Sequence, residues 1–291
     1  MGEGQGLMIS KSSKDKNFDI AAFCQHNAKF LVISGLFLLT YVPTFIWMWD
    51  RWFARDSYYS HGILIPFVTG FLIWQDRAEL AAIKSKPSPW GLVLIIAGLF
   101  VHIISSLFRV YFSSGFSILI VLFGIVLYFF GVKVTRKILF PLAFLAFMMP
   151  LPLVIITNIS IKMKFLAAQI AETILNSMGL MAVRDGSVIK MRHAYVIVDD
   201  ICSGLRSLIS LTALGSIFAY WMKGPMLKRI LLFLSTIPIA IITNVARIIF
   251  LASISEIWGA EVASGFLHDL SGFMVFALAF ALLFAVGRLL E

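Results

Sequence analysis

The sequence predicts an all-α polytopic membrane protein, and three observations carry that expectation. Of its 291 residues 60% are hydrophobic and only 13% are charged, against roughly 45–50% and about 25% in soluble domains. The mean hydropathy is +0.95. Apolar windows of about 20 residues, enough to cross a bilayer, recur along the whole chain. The net charge of +9 fits the same class, because multi-pass chains carry excess Lys and Arg on their cytoplasmic loops. It is not a nucleic-acid signal, and no nucleic-acid partner is expected.

Residues 1–29 read as a polar, basic cytoplasmic tail and 30–291 as a single membrane domain. The first apolar run, from Phe30, is too long for the core of a cleavable signal peptide. About eight spans are expected, near 30–49, 58–74, 90–108, 112–132, 138–157, 201–221, 230–247 and 270–286. His61, Gly62 and Pro66 interrupt the second.

Orientation follows from the basic residues between spans. With the N-terminus inside, the cytoplasmic side receives Lys11, Lys14, Lys16, Lys29, Arg77, Lys84 and Lys86. It also receives Lys133, Arg136, Lys137, Lys223, Lys228, Arg229 and Arg288, so it holds more than half of the 24 Lys and Arg. The expected topology is N-in/C-in, which requires an even number of spans.

Residues 158–200 form the one substantial outer insertion. Ile161, Phe165, Ala168 and Glu172 stand at helical spacing, so 162–180 predicts an amphipathic helix at the outer surface. Ser187–Arg192 and Ala194–Val198 predict two short strands, a small β-hairpin leading into Cys202.

There are two cysteines. Cys24 falls on the inner side and Cys202 on the outer side, so the topology excludes a disulfide between them. With no CxxC pair and no zinc-ligand spacing, no cofactor and no metal site is expected. Cys202 opens the sixth span, where unsatisfied helix N–H groups favour a thiolate. Taken alone it reads as a small buried hydrophobe. Ser203 and Gly204 let a backbone approach, and Arg206, four residues on, is placed to lie over the same helix face. Pairing of Arg206 with Asp199 or Asp200 is the structural alternative.

The seventh span brings Arg247 to the outer boundary, with Asn244 one turn below it. An arginine followed by Ile248-Ile249-Phe250 must face a polar interior, snorkel to headgroups, or pair with Glu256. His268 and Asp269 precede the eighth span, again outside. A lone interfacial histidine is usually structural. Here three spans bring Cys202, Arg247 and His268 to one membrane face, and a thiol, a base titrating near neutrality and a fixed cation are the parts acyl transfer needs. His61, in Tyr58-Tyr59-Ser60-His61-Gly62, is a second candidate base or a substrate contact. His26, His102 and His193 are assigned no role.

These blocks resemble a known family. Cys202-Ser203-Gly204-Leu205-Arg206-Ser207, Asn244-Val245-Ala246-Arg247-Ile248 and His268 followed by Gly272 resemble the three signature blocks of the exosortase/archaeosortase family. Tyr59-Ser60-His61-Gly62-Ile63-Leu64-Ile65-Pro66 resembles its N-terminal block, and Met149-Pro150-Leu151-Pro152 its proline-containing segment. The resemblance runs from about Asp50 to Gly272.

The resemblance implies a membrane cysteine transpeptidase-like enzyme for PEP-CTERM-type proteins. Its partners would be exported proteins carrying a Pro-Glu-Pro-like motif, a transmembrane helix and a basic tail. Beyond these, the lipid bilayer and a polysaccharide or lipid-linked acceptor are partners to consider. By position, Cys202 would be the nucleophile, Arg247 the oxyanion or thiolate stabiliser, and His268 the general acid/base. Asn244, Arg206, His61 and Asp269 would support them or contact substrate. The implied location is the prokaryotic cytoplasmic (inner) membrane, with the site facing the periplasmic side. The competing reading is a non-enzymatic transporter or assembly factor for exopolysaccharide. Against it, the polar residues cluster at one face and no internal repeat is visible.

Overall fold

The computed structural model describes residues 28–55, 57–199, 204–259, 261–262 and 266–290, with the backbone alone for 28–31, 266, 268 and 269. Cys24, Asp200 and Cys202 lie outside the described residues. The chain divides into two units after Val42. The first contains α1 (Ala28–Thr40), an apolar helix in which Thr40 Oγ1 donates back to the Leu36 carbonyl at 2.7 Å.

The second unit begins at Pro43, within α2 (Val42–Trp52). The Trp52 indole N–H donates to the Met148 carbonyl at 2.9 Å, which ties α2 to a segment far along the chain. A 3-10 turn, Ser60–Ile63, then leads into α3 (Leu64–Gln75) and the short α4 (Arg77–Ala82). Gly62 lies against the Trp52 ring so closely that any Cβ there would collide with it.

Helices α5 (Trp90–Leu107) and α6 (Tyr111–Lys137) pack along their length. Inside a membrane, lipid is as apolar as leucine, so close backbone approach drives helix pairing. Gly91 faces the backbone of Tyr128, Gly98 faces Val121, and Gly124 faces Ile95 and the Gly91 carbonyl. Hydroxyls stitch the same region together. Ser114 Oγ bonds Thr44 Oγ1 at 2.6 Å and His102 Nδ1 at 2.8 Å, and Ser105 bonds Ser113 at 2.8 Å. Near its end α6 breaks at Gly131, which has φ +77° and leaves no room for a Cβ beside the Lys86 carbonyl.

Next come α7 (Leu139–Phe144), a 3-10 turn at Leu145–Met148, and then α8 (Leu153–Ser177). A three-stranded antiparallel sheet follows: β1 (Val183–Asp185), β2 (Val188–Lys190) and β3 (Tyr195–Ile197), in that spatial order. In the register, Val188 faces Ile197 and Asp185 faces Val188. Lys190 Nζ donates to Asp185 Oδ2 at 2.8 Å, which holds that carboxyl below the ordinary aspartate range.

Helices α9 (Leu205–Trp221), α10 (Met226–Trp258) and α11 (Phe266–Leu290) complete the chain. Leu211, Leu232, Ile239, Ala240, Ala279 and Leu283 form the core that joins these three. A second core joins α8, the sheet and α10 through Ala168, Ala171, Leu175, Ile189, Ile248 and Ala252.

Among the described residues five helices are long and apolar enough to cross a membrane, and the pair Val32–Thr40 with Val42–Trp52 makes six if taken as one span. The sequence predicts eight, and the difference has local causes. Ser60–Gln75, Leu139–Met148 and Leu205–Trp221 are apolar but shorter than a span. The expected boundary at 157/158 falls inside α8, because the breakers are Pro150 and Pro152, which precede that helix, and none follows until Gly179 at φ +83°. The amphipathic helix expected at 162–180 is therefore the second half of a 25-residue helix that itself qualifies as a span. Likewise α10 continues past the expected end at Arg247, since nothing breaks it before Gly259 at φ +92°. The expected strands are shorter than the segments proposed, and β1 was not anticipated.

Candidate active site

Helix α9 starts at a left-handed glycine. Gly204 has φ +77°, and a Cβ there would lie 2.8 Å from Asn244 Cγ. Only glycine satisfies both the backbone and the contact. The start of α9, two residues past Cys202, is thus seated on the buried Asn244 of α10. This corrects one expectation. Helix α9 begins only after Gly204, whereas the sequence places the start of that span at 201; the expected stacking of Arg206 over Cys202 lies outside the described residues.

One turn further along α10, Arg247 reaches the other way. Its Nε donates to Ser271 Oγ at 2.9 Å, and its Nη2 lies 4.0 Å from where a Gly272 Cβ would stand. Ser271 is buried. His268 and Asp269 sit in the first turn of α11 rather than before it, with the His268 backbone one turn ahead of Ser271. Helix α10 therefore joins the beginnings of α9 and α11 through two residues three positions apart. Pairing of Arg247 with Glu256 is ruled out by the helix itself, since nine residues rise roughly 13 Å. The Glu256 carboxylate accepts from the His193 backbone N–H at 3.0 Å and meets its ring at 2.9 Å, anchoring the β2–β3 connection on α10.

His61 approaches α9 from the opposite part of the chain. Its Nδ1 lies 3.2 Å from Ser210 Oγ, and its ring stacks against Tyr59 with centroids 6.1 Å apart. Ser210 is one turn beyond Arg206 on the same face of α9. Two nitrogens in this region are buried with no hydrogen-bond partner among the described residues: His61 Nε2 and Arg206 Nε. Buried polar atoms are nearly always paired; Arg184 Nε, Arg229 Nε, Ser253 Oγ and Ser255 Oγ are in the same condition elsewhere in the described residues. Among the described residues, no group of three or more His, Cys, Asp or Glu is placed to hold a metal.

Of the seven site residues expected from sequence, the described structure connects Asn244 to the start of α9, Arg247 to the start of α11, and His61 to the helix that carries Arg206. Cys202 lies outside the described residues, and so do the side chains of His268 and Asp269. Sequence reasoning missed Ser210 and Ser271 as partners. The available signal was a serine within one or two turns of each motif in an otherwise apolar helix.

The family model described as transmembrane exosortase matches residues 30–285. No curated protein and no solved structure matches the chain.

Proposed function

The chain belongs to the transmembrane exosortase family, and from that premise we propose that it is a membrane-embedded cysteine peptidase or transpeptidase. It would cleave a C-terminal sorting signal of exported proteins and transfer or release the remainder. The observation that carries this reading is the double seating of α10. Asn244 packs against Gly204 and Arg247 donates to Ser271, which supports a site where α10 meets the start of α9 and the first turn of α11.

In the proposed reaction the Cys202 thiolate attacks the scissile carbonyl, and a C–S bond forms as the carbonyl π electrons move onto oxygen. The Arg247 guanidinium faces that oxyanion. The intermediate collapses with breakage of the C–N bond, and protonated His268 gives its proton to the departing amine. An incoming amine or water then loses a proton to His268 and attacks the thioester, freeing the thiolate. Asn244, Arg206 and Asp269 support these groups, and His61 borders the substrate. The site would face the outer side of the prokaryotic inner membrane, where the signal of an exported protein emerges.

The test is capture of a thioester at Cys202 with a reporter carrying a sorting signal, read by intact mass. The adduct should form in the native chain and be absent from Cys202→Ala. A Cys202→Ala protein that trims the reporter at the native rate would overturn the assignment.

A further inference from the structure

A recess of about 170 Å³ opens where the end of α9, the first turns of α10 and the end of α11 come together. Pockets that enclose a whole ligand run to about 300–1,000 Å³, so this one takes a single arm of a larger molecule. Phe218, Trp221, Leu232 and Phe284 wall it, with Gly287 and Arg288 on the α11 side. Leu232 belongs to the core that joins the three helices, which fixes the floor. Trp221 and Phe284 stay about half exposed, at 47% and 54%, and leave the edge open. Gly287 adds no side chain, and a Cβ there would come no nearer than 3.9 Å to Leu232.

Cations gather at the same end of these helices. The stretch Met222–Arg229 holds Lys223, Lys228 and Arg229 and no carboxylate. The Arg288 guanidinium carbon stands 5.9 Å from the Phe284 ring centroid. Arg229 precedes Leu232 by three residues and so shares its face of α10. Its Nε is buried with no hydrogen-bond partner among the described residues. Helix α10 also starts here, after Pro225 and without a side-chain cap, and a helix start favours an anion. Trp221 sets the height, since tryptophan prefers the boundary between hydrocarbon and headgroups.

We propose that this recess binds one anionic phospholipid. The upper part of an acyl chain lies among Phe218, Trp221 and Phe284, and Arg288 and Arg229 hold the phosphate. Basic pockets between membrane helices take phosphate headgroups in this way, and a guanidinium offers paired N–H donors to phosphate oxygens. A zwitterionic lipid supplies the same chain but sets its own cation beside the two arginines. The site lies roughly 27 Å down α10 from Arg247, and it does not rest on the reaction proposed above.

The experiment uses the full chain purified in detergent. Phosphatidylglycerol or phosphatidylcholine with the same acyl chains is added, and bound lipid is counted by native mass spectrometry alongside a thermal melt. Phosphatidylglycerol should be retained at one per chain, at least tenfold above phosphatidylcholine, and should raise the melting temperature. Combining Arg229→Gln with Arg288→Gln should lower that retention at least tenfold. Lys133→Gln, which removes an exposed cation of α6, should leave it unchanged. Gly287→Phe fills the recess while keeping both arginines and should match the double variant, whereas Gly287→Ala should behave as native.

Equal retention of the two lipids overturns the site, as does a loss in Lys133→Gln equal to that of the double variant. Native retention in Gly287→Phe overturns it as well. Inorganic phosphate that raises the melting temperature as far as phosphatidylglycerol does would show an anion site without a lipid, and also overturns it. A melt in lipid-free detergent identifies a Gly287→Phe chain that fails to fold, and the arginine pair then decides.

Discussion

The α5/α6 pair and the junction of α9, α10 and α11 both bury polar groups inside apolar helices, and they treat them in opposite ways. Around α5 and α6 the hydroxyls and His102 are matched to one another: Thr44 with Ser114, Ser114 with His102, Ser105 with Ser113. The glycines there serve helix approach, each opposed by backbone or by an apolar side chain. At the α9–α11 junction the glycine faces a polar side chain, Asn244. Two nitrogens nearby, on His61 and Arg206, are left open. The first region has completed its polar pairing and the second has not. That contrast is what the proposed function expects of a structural polar network beside a working site.

The sharpest way to break this contrast is at Arg247. Arg247→Ala should lower reporter trimming by about 10²–10³-fold, the usual loss when an oxyanion partner is removed. Arg247→Lys keeps the charge but loses the planar fork and the Nε bond to Ser271, so most of that loss should remain. Activity close to native in Arg247→Lys would reduce the residue to a simple counter-charge.

Next in size is Gly204→Ala. The left-handed backbone alone costs about 1–2 kcal/mol for a residue with a Cβ, and the collision with Asn244 adds to it. Adding Asn244→Ala should recover the collision part and leave the backbone part. A thermal-melt double-mutant cycle measures that split. Additive effects would mean the two residues do not touch.

The two histidines make a direct pair. His102→Ala removes a partner from the matched network and should lower stability by about 1–3 kcal/mol, with the trimming rate per folded molecule unchanged. His61→Ala should do the reverse, slowing trimming several-fold with a smaller shift in melting temperature, because one of its nitrogens has no partner to lose. Equal behaviour of the two would remove the distinction drawn here.

The smallest effect belongs to Asp185 and Lys190, an exposed pair on the sheet. The carboxyl is held below its ordinary range by the lysine. Whatever stability the pair gives is therefore present above the unfolded aspartate range and fades as pH falls through the lowered value. Asp185→Asn should leave the melting temperature at neutral pH unchanged within error, as exposed pairs generally do.

The membrane class was legible because composition and the recurrence of apolar windows suffice for it. Helix ends were less legible, for a physical reason. Hydropathy reports where a chain turns polar, whereas a helix ends where a backbone breaker stands. Thus α8 runs through the polar Thr157-Asn158 and α10 runs past Arg247, while the prolines at 150 and 152 and the glycines at 179 and 259 set the actual limits. The motif residues announced themselves by charge in apolar surroundings. Their partners Ser210 and Ser271 did not, because a serine in a membrane helix satisfies itself on its own backbone as readily as it serves a neighbour.

The length of α10 has one more consequence. Its 33 residues make a rod of roughly 50 Å, and Arg247 stands roughly 32 Å from Met226 along it, about one hydrocarbon thickness. Under the proposed function a helix of that length, with Pro238 in its interior, would serve as a ruler. For a substrate whose own helix crosses the same bilayer, the position of the cut would be counted from the far side of the membrane. Lengthening that helix by one turn would carry a different peptide bond, 5.4 Å away, to the height of the guanidinium.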